Sequence, residues 1–154
     1  MRAIRRSKKF ESMVRQLAEV NHPEAGRPIF PTMRELICFA AVLGFEKERK
    51  RPLESDTSEI DGRTFENHQQ SLDLIYLLAL ADGKDVEILR EGNEDRTIDI
   101  LEQYAQGGFE LLDAWLKETP EDEYGDEAIL NALGKHGFLE QVRAVDDAVQ
   151  DVSF

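Results

Sequence analysis

The sequence predicts an all-α fold: a single compact helical domain of about six to seven helices. Three observations favour this class. Apolar residues recur at three- and four-residue spacing, whereas no stretch shows the strict alternation of a half-buried strand. Thr32 and Glu35 have the spacing of a helix capping box. The chain of 154 residues is also long enough to bury one core without disulfides or a structural metal.

The first predicted helix runs from about Lys8 to Val20, with Ser7 as its N-cap. A loop containing three prolines, NHPEAGRPIFP, follows it. The apolar stripe of this helix consists of Phe10, Met13, Val14 and Leu17.

The second helix begins after Thr32, and Gly44 is the residue expected just beyond its C-terminus. Between them the stretch LICFAAVLG is apolar nearly all round, which predicts a central helix covered on most sides. Its small residues Ala40 and Ala41 would allow a neighbouring helix to approach closely.

Polar and turn-forming residues predict an exposed loop over residues 52–62. A third long helix is expected over Ser71 to Asp82 and is closed by Gly83. Asp85 and Asn93 are expected to cap the next two helices.

The pair Gly107-Gly108 interrupts the next helical pattern. Each glycine kept inside a helix costs about 1 kcal/mol, so a tight corner is expected there. A separate helix, FELLDAWLKE, would follow and bury Phe109, Leu112, Trp115 and Leu116.

Composition changes after residue 118, which divides the chain into a helical core domain, 1–118, and an acidic linker with a C-terminal amphipathic helix, 119–154. Apolar residues in the last segment step by four, three, four and three positions. This narrow seam is typical of the edge of a core or of a partner-docking helix. Its members are Phe138, Val142, Val145, Val149 and Val152.

Charge is distributed unevenly along the chain. Residues 1–51 carry 12 Lys and Arg and 6 Asp and Glu, whereas residues 52–154 carry 7 Lys and Arg and 26 Asp and Glu. The formal net charge of the whole chain is −13. A helix C-terminus stabilises each nearby cation by only about 0.3–1 kcal/mol, which does not account for four of them after the second helix. We therefore predict that two basic clusters converge on one face and contact a DNA backbone or an acidic partner surface. Their members are Arg5, Arg6, Lys8, Lys9, Lys47, Arg49, Lys50 and Arg51.

The sequence shows no constellation typical of catalysis, so we expect a non-enzymatic protein without a metal or cofactor. The single cysteine, Cys38, lies in an apolar stretch that favours a buried, inert thiol. His136 and Glu140 have i,i+4 spacing, but one such pair is a weak indication of a metal site. The pair Gly107-Gly108 lacks the Lys-Ser/Thr of a phosphate-binding loop.

Apolar stretches are too short to predict a membrane span. The N-terminal stretch MRAIRRSKKF lacks the apolar region of a secretory signal, so a cytoplasmic location is predicted.

Five stretches occur in a distinctive order: IRRSKK at 4–9, IFPTMRELICFAAVLGF at 29–45, RKRPLE at 49–54, LIYLLALADGKDVEIL at 74–89 and LEQYAQGGFELL at 101–112. Over about residues 1–118 they resemble a small family encoded beside bacterial and archaeal DNA phosphorothioation (Dnd) islands, the Dnd system-associated proteins. The resemblance implies a place in a defence system that replaces a non-bridging phosphate oxygen of DNA by sulfur and restricts unmarked DNA. It implies no catalytic residues.

The function expected from these observations is that of a non-catalytic accessory protein of a phosphorothioation-linked defence system. Its expected partners are other proteins of the phosphorothioation or restriction machinery, with DNA as a further candidate. Two other classes remain open: an acidic DNA mimic that regulates a nuclease or helicase, and a structural subunit that assembles with itself.

Overall fold

The computed structural model describes residues 1–139. Helices dominate these residues, and the sheet contains only two short strands, which confirms the predicted all-α class. The helices, in chain order, are α1 (Glu11–Ala18), α2 (Met33–Glu46), α3 (Arg63–Glu66), α4 (Gln69–Gly83), α5 (Glu94–Glu118) and α6 (Asp126–Lys135). Short 3-10 turns, Lys8–Phe10 and Val86–Leu89, precede α1 and α5.

Two short strands that the sequence did not indicate form an antiparallel pair. Strand β1 (Ile4–Ser7) lies beside β2 (Thr57–Ile60), with Ile4 opposite Ile60. The predicted first helix therefore starts later than expected, and the predicted loop 52–62 contains a strand. β1 shows no strict alternation, because its last two residues are both buried, and its pairing joins segments about 50 positions apart. Ser7 nevertheless accepts the predicted capping hydrogen bond from the amide of Lys9.

The start of α2 confirms the capping box. Thr32 accepts a hydrogen bond from the amide of Glu35, whose carboxylate accepts one from the amide of Thr32. The expectation for Gly44 was wrong, because this residue is buried inside α2 rather than beyond its end. The helix continues to Glu46, and Glu48 supplies the left-handed residue that follows it, with φ of 53°.

The predicted corner at Gly107-Gly108 was also wrong, since α5 continues through both residues for 25 positions. At this point α2 and the segment after it lie directly on α5. A methyl group on Gly108 would overlap the backbone carbonyl of Ala40, and one on Gly107 would overlap that of Arg49. Gly44 meets the carbonyl of Tyr104 in the same way. The intrinsic helical cost of these glycines is thus offset by a close approach that a larger residue would prevent.

The predicted stripe of α1 is buried, with each of its four residues at most 4% exposed. In the second half of α5, Phe109, Leu112 and Trp115 are buried as predicted, and Leu116 is half-buried. The third long helix forms as α4, from Gln69 to Gly83. The largest fully buried side chains include Leu17, Leu36, Ile37, Phe65, Ile75, Ile98, Leu101, Phe109 and Leu112.

The two predicted caps before α5 differ in outcome. The carboxylate of Asp85 accepts from the amide of Glu87 at 3.0 Å, which confirms it as a cap of the 3-10 turn. Asn93 precedes α5, but its side-chain amide donates to the carbonyl of Glu87 at 2.7 Å and does not cap the helix.

Helix α6 returns to the body after the acidic stretch that follows α5. Its Ala128, Ile129 and Ala132 are buried. Beyond it, the ring of His136 stacks on Trp115 with centroids 5.6 Å apart. The proposed division of the chain at residue 118 remains a prediction.

Candidate partner-binding surface

Arg5 belongs to a structural ion-pair cluster built around a buried carboxylate on α5. Glu102 is 2% exposed and accepts hydrogen bonds from the guanidinium groups of Arg2, at 2.9 and 3.1 Å, and Arg5, at 3.0 and 3.2 Å. The backbone amide of Arg5 donates to the same carboxylate. These bonds attach β1 to α5.

Burial is the largest single influence on the pKa of Glu102 and raises it. The hydrogen bonds from Arg2 and Arg5 together outweigh burial, so the pKa of Glu102 lies below its ordinary value of 4.5. Glu102 is therefore held as an anion by the strand that it anchors.

Arg6 is also part of the interior. Its side chain is 7% exposed, and its guanidinium donates to the carboxylate of Glu11 at 2.7 Å. The guanidinium of Arg6 is thus engaged inside the molecule, whereas Arg5 binds the buried Glu102 although its own side chain is 43% exposed.

Lys8 and Lys9 lie against the segment that leads into β2. Lys8 pairs with Asp56 at 3.6 Å and Lys9 with Glu54 at 3.9 Å, and both lysine side chains remain more than half exposed.

The segment that carries the second basic cluster passes across α5. The backbone amide of Arg51 donates to the carbonyl of Gln103 at 3.0 Å. Arg49 and Arg51 both face Glu110, at 4.0 and 3.4 Å, and each is more than 40% exposed. Lys50 donates to Asp82 of α4.

Lys8 and Lys9 of the first cluster pair with residues 56 and 54, which follow the second cluster closely in the chain. Glu54 pairs with Lys9 and follows Arg51 by only three residues. The α-carbons of Arg51 and Glu54 are therefore about 11 Å apart at most. We name the exposed cations of these segments the basic ridge. It consists of Lys8, Lys9, Arg49, Lys50 and Arg51.

The ion pairs of four ridge cations, all except Lys50, are exchangeable. Pairs between exposed side chains contribute only about 0–1 kcal/mol, because water screens the charges and ordering the side chains costs entropy. An outside phosphate or carboxylate can therefore replace the carboxylates of Glu54, Asp56 and Glu110 at small cost. Displacing Glu102 from Arg2 and Arg5 would instead break ion pairs with a buried carboxylate.

Lys47 has a different environment. Its ammonium lies 4.8 Å from the centroid of the Phe138 ring, a cation–π contact, and 3.5 Å from the carbonyl oxygen of His136. Phe138 is thus the one member of the predicted seam that the structure describes. Val142, Val145, Val149 and Val152 lie outside the described residues.

A hydrogen-bonded network that sequence reasoning missed lies beside the ridge. The hydroxyl of Tyr104 donates to Asp82 at 2.6 Å, and Lys50 donates to the same carboxylate at 2.9 and 3.1 Å. The three residues come from separate parts of the chain, so no local spacing could indicate them. They line a cleft of about 510 Å³ together with Phe45, Glu46, Glu48, Ala81 and Lys84.

The network moves two pKa values in opposite directions. Burial raises the pKa of Asp82 and is its largest single influence, but hydrogen bonds from Tyr104 and Lys50 lower the pKa below its ordinary value. Burial, followed by the hydrogen bond to Asp82, raises the pKa of Tyr104 to about 12. Neither group is poised to exchange a proton near neutral pH.

We expect Tyr104 to give a late step near pH 12 in an absorbance titration at 295 nm. Because its folded pKa is raised, its contribution to stability is complete below pH 10 and is lost as the pH rises towards 12. Asp82→Asn should move this late step to lower pH. Tyr124→Phe, as a control, should leave it in place, and loss of the late step in that control would contradict the assignment.

Among residues 1–139, no group of three or more His, Cys, Asp or Glu side chains is arranged to hold a metal ion. Cys38 is a half-buried free thiol, and burial raises its pKa. Within the same range, no helix combines the length and apolar character that crossing a membrane requires.

A family model described as DNA sulphur modification system-associated protein 4 matches residues 3–149. The match confirms the suspected resemblance to Dnd-associated proteins. It also extends well beyond residue 118, so most of the acidic C-terminal part lies within the family's range. No curated protein and no solved structure matches the chain.

Proposed function

Since the chain belongs to the DNA sulphur modification system-associated protein 4 family, we propose that it is a non-catalytic accessory protein of a phosphorothioation-linked defence system. In this role it binds another protein of that system through the basic ridge. The observation that supports this proposal is the exposure and the ion pairing of the ridge cations. They remain 39–57% exposed, and all except Lys50 pair with carboxylates that an outside anion can replace.

The scaffold beneath the ridge supports this role. The segment carrying Arg49 and Arg51 is held against α5 by the hydrogen bond to Gln103 and by the close contact at Gly107. Its backbone is therefore fixed before a partner arrives, which reduces the ordering cost of binding. An acidic partner surface matches the sign of the ridge and would raise the association rate by electrostatic steering.

We expect replacement of the ridge residues Arg49, Lys50 and Arg51 by alanine to weaken binding to a protein of the system at least tenfold. The measurement is affinity purification after co-expression with the proteins encoded in the same sulphur modification gene neighbourhood, followed by titration of the captured protein. A matched control, Arg63→Ala with Arg90→Ala and Lys117→Ala, removes three exposed cations that pair with acids elsewhere. Unchanged binding in the ridge variant contradicts the proposal, and tighter binding favours an acidic DNA mimic.

The same exposed cations favour DNA backbone contact as a second candidate function. Each phosphate that a cation neutralises contributes about −0.9 to the slope of log K against log salt concentration, so five ridge contacts predict a slope of about −4 to −5. Duplex DNA with and without sulfur-substituted phosphates should be titrated from low to moderate salt. Binding that is flat across this range contradicts the DNA function without affecting the protein-binding proposal.

A further inference from the structure

Helix α4 is apolar on its outer side as well as on the side that packs against the protein. Its buried residues include Ile75, Leu78 and Ala79. On the opposite side, Leu77 is 62% and Tyr76 37% exposed. A helix that is apolar all round is typical of an interior position, and neighbouring exposed apolar side chains mark a contact surface. No part of residues 1–139 covers this side of α4, so we expect another surface to cover it.

The outer side of α4 has a regular pattern. Asp73, Leu77, Leu80 and Lys84 follow one another at steps of four, three and four residues, which places them within about 60° of arc around the helix axis. This spacing is typical of a helix that packs along another helix. We name this surface, together with the two residues that flank its centre, the α4 outer face. Its members are Asp73, Tyr76, Leu77, Leu80, Ala81 and Lys84, of which Leu80 is half-buried and the others are exposed.

Opposite charges lie at the two ends of the α4 outer face. Asp73 lies in the second turn of α4 and accepts a hydrogen bond from the side-chain amide of Gln69 at 2.8 Å. Lys84 is the residue that follows the last turn. Neither Asp73 nor Lys84 forms an ion pair within residues 1–139. An apolar centre therefore separates an anion at one end from a cation at the other.

This pattern is complementary to itself when it is reversed. A two-fold axis beside the middle of the stretch, between residues 78 and 79, would bring Asp73 of one copy to Lys84 of a second copy. The same axis pairs Leu77 with Leu80, and the large Tyr76 with the small Ala81. Each pair occurs twice, because a two-fold interface uses the same surface on both copies.

Charge selects this arrangement over a parallel one. Two parallel copies of α4 would place Asp73 against Asp73 and Lys84 against Lys84, and like charges at an interface disfavour association. Reversal turns both contacts into ion pairs between opposite charges. The charges at the ends of α4 thus favour a second copy of this chain as the occupant of the face.

We propose that the α4 outer face binds a second copy of the chain, and that the two α4 helices pack antiparallel in a two-fold dimer. Asp73 of each copy pairs with Lys84 of the other, and the leucines form the centre. The stretch from Asp73 to Lys84 is only about 17 Å long, which is short for an interface of standard size, about 800 Å² on each partner. The dimer is therefore weak and exchanges with the monomer.

Sedimentation equilibrium of the full-length protein from about 1 to 200 µM measures this association. We expect a reversible dimer, and Leu77→Glu should raise its dissociation constant at least tenfold. Leu130→Glu is the matched control, since Leu130 of α6 is 60% exposed and should change the constant less than twofold. A monomer throughout this range overturns the proposal, and so does a dimer that both variants weaken equally.

Reversal of the charges tests the antiparallel arrangement. Asp73→Lys alone, or Lys84→Asp alone, places like charges together twice in the dimer and should raise the dissociation constant about fivefold to tenfold. The combined variant, Asp73→Lys with Lys84→Asp, restores both pairs and should return the constant to within about twofold of the wild-type value. A combined variant as weak as the single ones overturns the antiparallel pairing. None of these substitutions changes the basic ridge, so their outcome is independent of the proposed partner binding.

Discussion

Replacing Gly108 with alanine is expected to destabilise the protein by about 3 kcal/mol, at the upper end of the usual cost of overpacking. Helix propensity alone predicts the opposite sign, a gain of about 1 kcal/mol. The loss is expected because the added methyl group would overlap the backbone carbonyl of Ala40, so α2 and α5 must move apart. The free energy of unfolding, measured in urea, gives both sign and size.

Gly134 of α6 is the matched control for this substitution. It also lies inside a helix, but the nearest atom to an added methyl group is a side-chain carbon of Leu139 at 3.9 Å. Gly134→Ala should therefore stabilise the protein by up to about 1 kcal/mol. A stabilising Gly108→Ala would show that α2 and α5 do not cross at this point.

Glu102→Gln is expected to destabilise the protein by about 3 kcal/mol, because it removes the buried partner of two guanidinium groups. Arg2 and Arg5 would then lie close together without a full counter-charge, although their partial exposure keeps the loss from being larger. Urea unfolding at neutral pH measures the difference. Glu110→Gln removes an exposed partner of Arg49 and Arg51 and should cost less than about 1 kcal/mol.

The pH dependence of this variant follows from the lowered pKa of Glu102. A carboxyl group with a depressed folded pKa contributes stability that is present above its ordinary value, here 4.5, and is lost as the pH falls through the folded value. The difference in unfolding free energy between wild type and Glu102→Gln should therefore shrink below about pH 4.5. A difference that stays constant from pH 7 to pH 3 would show that Glu102 is not held as an anion.

Several helix limits could be read from local patterns. The capping box at Thr32, the hydroxyl of Ser7 and the carboxylate of Asp85 each act within three residues, so sequence spacing alone specifies their hydrogen bonds. The apolar stripe of α1 follows from helical periodicity in the same way.

The errors in the predicted fold have a common physical origin. The β1–β2 pairing and the glycine contacts between α2 and α5 join residues about 50 to 70 positions apart. Judged by local sequence, a glycine pair disfavours a helix. Glycine is required here because the backbone packed against α5 leaves no room for a side chain.

The candidate site was only partly accessible from sequence. The eight predicted contact residues were chosen by charge alone, but their environments differ: Arg5 pairs with the buried Glu102 and Arg6 is itself buried, whereas Lys8 and Lys9 pair with exposed carboxylates. The Lys50–Asp82–Tyr104 network could not be predicted, because no spacing relates residues from three separate segments.

The sequence by itself determined that this protein is a helical member of its family, where α2 begins, and that its basic residues precede its acidic ones. Only the tertiary structure decided that α5 is continuous and which of those opposite charges meet. The physical reason is that capping and amphipathicity act within a turn of helix, whereas steric overlap and Coulomb energy depend on distances in space. Folding brings Glu102 to Arg5 across 97 positions, and no local pattern records that distance.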